Sequence, residues 1–255
     1  MFIGHFAPAF AARAITDEAP KLGTLFIAAQ LTDWAFFLFA MGGLEHLRLT
    51  PGITAMNPLD FYDYPITHSL VGTAGFALGF AIVVGVVLRN AIAATWAAIV
   101  VMSHWVLDWI THRPDLTIAG GDERYGLGLW NYPAAAITLE LALIGGAFWW
   151  YLRRTKGPIV PPLILLGVML LFQAIDWFGP GPQEADAMMV GMALLSYAIM
   201  TALAFWAGST RWHKSEVGSA LARRHSDPRR CCTHPKRTLM AEFVPQPFPP
   251  ACPAS

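Results

Sequence analysis

Six stretches of this chain are apolar over about the twenty residues that a helix needs to cross a bilayer. They are Leu22–Leu44, Ile66–Leu88, Ala91–Ile110, Trp130–Leu152, Ile159–Phe178 and Ala185–Ala207. In hydrocarbon every backbone amide must find its partner inside the protein, so runs of this length fold as helices. Only 13% of the 255 residues are charged, about half the usual share in a soluble domain. The fold class expected is all-α, a polytopic membrane helical bundle of about six transmembrane helices. Phe2 to Ile15, with His5, Pro8 and Arg13, is apolar but too short to span. It is expected as an N-terminal half-helix, re-entrant or interfacial. It has no basic region ahead of its apolar stretch and does not read as a signal peptide.

Basic residues set the orientation. Arg13 and Lys21 precede the first run, Arg89 separates the second and third, and Arg153, Arg154 and Lys156 separate the fourth and fifth. Arg211 and Lys214 follow the sixth, whereas the alternate loops hold only Arg48, Arg113 and Arg124. By the positive-inside rule both termini are cytoplasmic. The turn-rich loops Glu45–Pro65 and Arg113–Leu129 then face outward. The chain divides into a membrane domain, residues 1–210, and a polar tail, residues 211–255, rich in Arg, His and Pro without apolar periodicity. All three cysteines (Cys231, Cys232, Cys252) lie in that tail with no C-x-x-C spacing, which disfavours thiolate metal sites and a disulfide framework. Cys231, Cys232 and His234 are metal-binding types with nothing around them to order a site. The formal net charge is zero, so no global field points to nucleic acid.

Ionisable side chains inside such spans are costly without a partner or a role. The third run ends in Ser103-His104-Trp105-Val106-Leu107-Asp108-Trp109-Ile110-Thr111-His112. On a helix His104, Asp108 and His112 fall at i, i+4 and i+8 and share a face. Two imidazoles and a carboxylate on one stripe are metal-ligand types. His112 continues the stripe, although Arg113-Pro114-Asp115 marks the chain leaving the helix there. Asp33 lies within the first run, and His68 follows Pro65, a residue suited to a helix start. Counting about 1.5 Å per residue from the nearest basic flank places Asp33 at roughly 18 Å, Glu140 near 20 Å and His104 near 22 Å. The same count gives Asp108 roughly 28 Å, His68 roughly 31 Å and His5 about 12 Å. Most of these groups therefore fall in the outer half of the bilayer, where they can converge. The metal ligands expected are His5, Asp33, His68, His104, Asp108 and His112. Alternatively, His104 and Asp108 form a hydrogen-bonded pair that serves packing. Glu140 is a general base, a partner of a ligand or a neutral buried acid. Asp176 reads as structural, and Trp105, Trp109, Trp130, Trp149 and Trp150 fit interfacial belts.

With these residues in place, the chain resembles the membrane-bound metal-dependent hydrolases, the YdjM-like inner-membrane proteins. The resemblance covers about the first half of the chain. It rests on Gly4-His5-Phe6-Ala7, Asp33 in the first span, Thr67-His68-Ser69-Leu70 and His104-x-x-x-Asp108. That family is similar to zinc-dependent phospholipases C. The resemblance implies His5, Asp33, His68, His104 and Asp108 as ligands, phosphoester hydrolysis as the reaction and the bacterial inner (cytoplasmic) membrane as the location.

Mixed imidazole and carboxylate ligation suits zinc among divalent metals, with manganese or iron as alternatives. Such a metal acidifies a bound water and polarises a phosphoryl or acyl oxygen. Asp108 or Glu140 then takes the proton. A pocket at membrane depth points to membrane lipids as partners and to a lipid or lipid-linked phosphoester as substrate. The rival readings are a proton- or cation-coupled transporter and a non-catalytic scaffold with a polar core. Against transport, the halves show no obvious inverted repeat.

Overall fold

The structure, a computed structural model, describes residues 1–181 and 184–214. The cysteines, His234 and most of the expected tail lie outside these residues. A 3₁₀ turn, Ile3–Phe6, leads into α1 (Ala7–Ile15), followed by α2 (Leu22–Ala29) and α3 (Leu31–Met41). A hairpin of β1 (His46–Leu49) and β2 (Leu59–Asp63) precedes α4 (Leu70–Leu88) and α5 (Ala91–Thr111). Then come α6 (Pro133–Arg154), β3 (Thr155–Lys156), α7 (Val160–Phe178), α8 (Ala187–Ser209) and β4 (Trp212–His213). Among the described residues, five helices (α4 to α8) are long and apolar enough to cross a membrane, or six if α2 and α3 count as one bent span. The all-α membrane bundle is what the apolar runs predicted.

The first span departs from a straight helix. α2 and α3 meet at Gln30 with a bend of 51°. There the Ala29 carbonyl accepts a hydrogen bond from His104 Nδ1 at 2.8 Å. A side chain from a neighbouring helix entering at such a break is one of the few causes of a sharp kink.

The half-helix is neither exposed nor interfacial. In α1, Ala7, Ala9, Phe10, Ala12, Arg13 and Ala14 are all buried, so protein surrounds it. Its small residues allow close approach to α2 and α6, and its aromatics fill the remaining space. Phe6 stacks on Phe26 with centroids 4.4 Å apart, and Phe10 meets Phe148 edge-on at 5.5 Å. Helices pack in lipid through such small-residue contacts and van der Waals fit.

Turn chemistry closes the other elements. Arg89 takes a left-handed conformation (φ 50) and Asn90 Oδ1 accepts from Ile92 N at 2.8 Å and Ala93 N at 3.0 Å. These two residues reverse the chain between α4 and α5, and Asn90 caps two of the free amides of α5. α4 starts at Leu70, four residues later than Ile66, because Ser69 is its cap, its Oγ accepting from Gly72 N at 3.0 Å. The Leu70 and Val71 amides donate to Thr117 O and Ile118 O at 3.0 and 2.9 Å, which ties the loop after α5 to the start of α4.

At the opposite end Arg211 closes the bundle. Its guanidinium donates to Thr155 Oγ1 (2.9 Å), Gly157 O (2.8 Å), Pro158 O (2.9 Å) and Thr155 O (3.0 Å). β3 and β4 pair beside it. Arg211 to His213, expected as the start of the tail, are thus packed against the membrane domain.

Candidate metal centre

Six side chains meet between α3, α4, α5 and the N-terminal turn, and they are the six expected ligands. His104 Nε2 lies 3.4 Å from Asp33 Oδ1 and 3.0 Å from Asp108 Oδ2. His68 Nε2 lies 3.2 Å from Asp33 Oδ1 and 3.7 Å from Asp108 Oδ2. The other oxygen of Asp108, Oδ1, faces His5 Nε2 at 3.0 Å and His112 Nε2 at 3.4 Å. Met1 N stands 3.5 Å from the same oxygen. His104 is 1% and Asp108 2% exposed, whereas Asp33 is 16% exposed and forms the open edge of the cluster.

The hydrogen-bond network assigns the tautomers. His104 Nδ1 faces the Ala29 carbonyl, which only accepts, so the hydrogen is on Nδ1. Thr67 has one proton, which its Oγ1 donates to Glu45 Oε2 at 2.6 Å. His68 Nδ1, 2.8 Å from that hydroxyl, therefore donates to it. His112 Nδ1 lies 3.2 Å from Asp115 Oδ1, the oxygen that also accepts from Tyr64 OH at 2.8 Å. It too is the donor. Burial and then the Asp115 carboxylate hold the Tyr64 phenol well above its usual pKa, which keeps that hydroxyl protonated.

All three rings thus carry Nδ1–H and turn Nε2 toward two carboxylates, where a neutral ring presents a lone pair and a protonated ring a donor. Acceptors facing acceptors at 3.0 to 3.7 Å repel unless positive charge lies between them. Protons on the rings supply it in a polar-core arrangement, and a cation supplies it in a metal site. Two features fit the cation. His104 Nε2 makes no aligned hydrogen bond despite its burial. Ligands held 2.0–2.1 Å from a tetrahedral ion stand about 3.3 Å apart, and the four His–Asp separations of His68 and His104 from Asp33 and Asp108 are 3.2, 3.4, 3.0 and 3.7 Å. Ligand atoms of Asp33, His68 and His104, and separately of His5, His104 and Asp108, lie within 4.8 Å of one another. These buried histidines and aspartates can hold a metal ion.

Glu140 sits elsewhere. Its Oε1 accepts from Phe2 N at 2.7 Å and Gly4 N at 2.9 Å, and Gln173 Oε1 accepts from Ile3 N at 3.0 Å. The free amides that begin a helix are here capped by α6 and α7, and this holds the turn that carries His5. Of the three readings left for Glu140, the contacts match a partner that positions a ligand. Asp176 accepts from Gln173 Nε2 at 3.0 Å, the structural role expected of it.

Sequence reasoning missed the outer support. Glu45 Oε1 also accepts from Ile66 N and Thr67 N, at 2.8 and 2.9 Å. Tyr64, Thr67, Asp115 and Tyr197, whose OH donates to Asp33 Oδ2 at 3.2 Å, complete it. Two tryptophans assigned to interfacial belts belong here instead. Trp105 Nε1 donates to His68 O at 3.1 Å, and Trp130 packs on His112 with centroids 4.3 Å apart. A buried indole needs such a partner. Trp149, capped by the Arg153 guanidinium, keeps an exposed position. The depth counts of about 12 Å for His5 and roughly 31 Å for His68 disagree although both side chains reach Asp108, because the count assumes straight helices that start at one level.

Asp60 links the hairpin to this support. It binds Arg48 Nε at 2.7 Å and Arg113 through a second, short ion pair, while Arg113 Nε reaches Asp115 Oδ2 at 3.5 Å. Comparison of the chain with protein-family models, curated proteins and solved structures gives no match.

Proposed function

We propose that this protein is a metal-dependent membrane hydrolase, zinc being the best-suited ion, and that it acts on a lipid or lipid-linked phosphoester. The observation that carries the reading is the convergence of three Nε2 atoms on the buried Asp108 and the partly exposed Asp33 among helices apolar enough to span a membrane. Two carboxylates and neutral imidazoles leave two negative charges, which one divalent cation balances. The resemblance to YdjM-like hydrolases supports the same ligand set.

Asp33, His68, His104 and Asp108 would hold the ion, with His5 and His112 at the second oxygen of Asp108. A bound divalent metal supplies an acidified water and polarises a phosphoryl oxygen. Asp33, at the open edge, marks where substrate enters. Asp108, with both oxygens inside the cluster, is the carboxylate placed to take a proton from the attacking water. Glu45 and Asp115 keep the hydrogens of His68 and His112 on Nδ1 and so hold Nε2 as a lone pair. Glu140 acts through His5 by fixing its turn.

Elemental analysis of the purified chain, beside His68→Ala and Asp108→Ala, tests this reading. About one or two equivalents of metal, lost in both variants, together with metal-dependent cleavage of lipid phosphoesters, are expected. A chain that takes up no divalent metal after reconstitution would overturn it.

A further inference from the structure

A crevice beside the centre is not used by the ligand set. Ile27 of α2, Trp34 of α3 and Ala198, Thr201, Ala202 and Phe205 of α8 line a cavity of about 420 Å³, a size that suits a small organic ligand. Its surface is almost wholly apolar, and its walls belong to segments apolar enough to cross a membrane. One end abuts the metal cluster. Trp34 follows Asp33 and packs against Tyr197 with centroids 5.7 Å apart, and Tyr197 OH donates to Asp33 Oδ2. From Tyr197, residues Thr201 and Phe205 follow at i+4 and i+8, so the crevice runs about 12 Å along α8 away from the cluster.

Polarity therefore changes along one line, from carboxylates and imidazoles through a phenol to hydrocarbon. That sequence complements an amphiphile, with its charged end at Asp33 and its chain along α8. Trp34 Nε1 and Thr201 Oγ1 are buried without a hydrogen-bond partner. An indole N–H can only donate, and an ester carbonyl between headgroup and chain is an acceptor at that level.

We propose that the crevice seats one acyl chain of an ester-linked membrane lipid whose headgroup lies at Asp33. This rests on the hydrolase reading for the fate of the headgroup, and it makes the substrate an acyl lipid rather than a water-soluble phosphoester. The chain enters sideways from the bilayer.

The test uses the full chain in vesicles of phosphatidylethanolamine and phosphatidylglycerol. These are doped with a phosphatidylglycerol bearing a diazirine in one acyl chain, or with a diazirine alkane of the same length. After irradiation, adducts are mapped by mass spectrometry. The phospholipid probe is expected to concentrate on Trp34 and residues 198–205, at least fivefold above the alkane. Ala202→Phe, which fills the crevice, should lower that labelling at least fivefold in a protein of unchanged thermal unfolding. Leu195→Phe, on a face 60% exposed, should leave it unchanged. Should Ala202→Phe not fold, Ala198→Val serves as a smaller fill with about a twofold loss. Equal labelling by the alkane, or labelling spread over all exposed helix faces, would overturn the proposal. Concentrated labelling in a chain without metal or turnover would remove the hydrolase and keep the lipid site. Equal turnover of short- and long-chain phosphoesters without concentrated labelling would do the reverse.

Discussion

Thr67 shows how one hydroxyl can set the chemistry of the residue beside it. Its proton goes to Glu45, which obliges His68 to donate from Nδ1 and turns Nε2 to Asp33 Oδ1 at 3.2 Å. Thr67→Val keeps the shape and removes that constraint. Loss of such an outer partner typically weakens metal binding about 10–100-fold. Chelator competition on the folded variant should show a drop of that order, and an unchanged affinity would mean that His68 is not a ligand. Thr-His-Ser was legible as a candidate triplet because a histidine at membrane depth needs a reason. Glu45 was not legible, since it lies 22 residues before Thr67 and carries no local signal. Asp115 stood only three residues beyond His112, but the Pro114 before it directed attention to the helix end rather than to the ring.

At the scale of elements, the N-terminal turn depends on two helices that it precedes by more than a hundred residues. Glu140 and Gln173 cap three successive amides, those of Phe2, Ile3 and Gly4. Glu140→Gln keeps an accepting oxygen, so it should retain metal and most activity and cost about 1 kcal/mol of stability. Glu140→Ala leaves two donors, Phe2 N and Gly4 N, unpaired and should cost roughly 2–6 kcal/mol, at about 1–3 for each unsatisfied group. Thermal unfolding of the pair, read beside activity, separates the roles. Were Glu140 the general base, Glu140→Gln would abolish turnover at near-native stability. The apolar runs identified the long helices correctly because hydrocarbon leaves the backbone few choices. The kink at Gln30 and the β1–β2 hairpin escaped notice. The kink depends on His104 reaching Ala29, and the hairpin strands are four and five residues long, too short for period-two alternation to stand out.

For the molecule as a whole, both turn-rich loops lie at the end of the bundle that holds the His–Asp cluster, and the Arg89–Asn90 turn closes the far end of α4 and α5. By the positive-inside rule that far end is expected on the cytoplasmic side. In a chain with its own cysteines replaced by serine, Asp122→Cys should react with an impermeant maleimide from outside intact cells, and Arg89→Cys only after lysis. The reverse pattern would overturn the orientation without touching the site. Ligand linkage gives a second expectation. Metal at a hundred times its dissociation constant should stabilise the fold by about 2.7 kcal/mol, and chelation should lower the thermal midpoint accordingly. A midpoint indifferent to chelator would speak for a polar core balanced by protons. The sequence by itself determined the solvent, the helices and the ligand types. Apolar length is a local property, and a charge within it is conspicuous wherever it falls. Only the tertiary structure decided which nitrogen faces inward, that Glu140 braces a turn, and that Asp33 opens beside an apolar crevice. Those facts depend on which atoms meet across helices, and hydropathy contains no term for that.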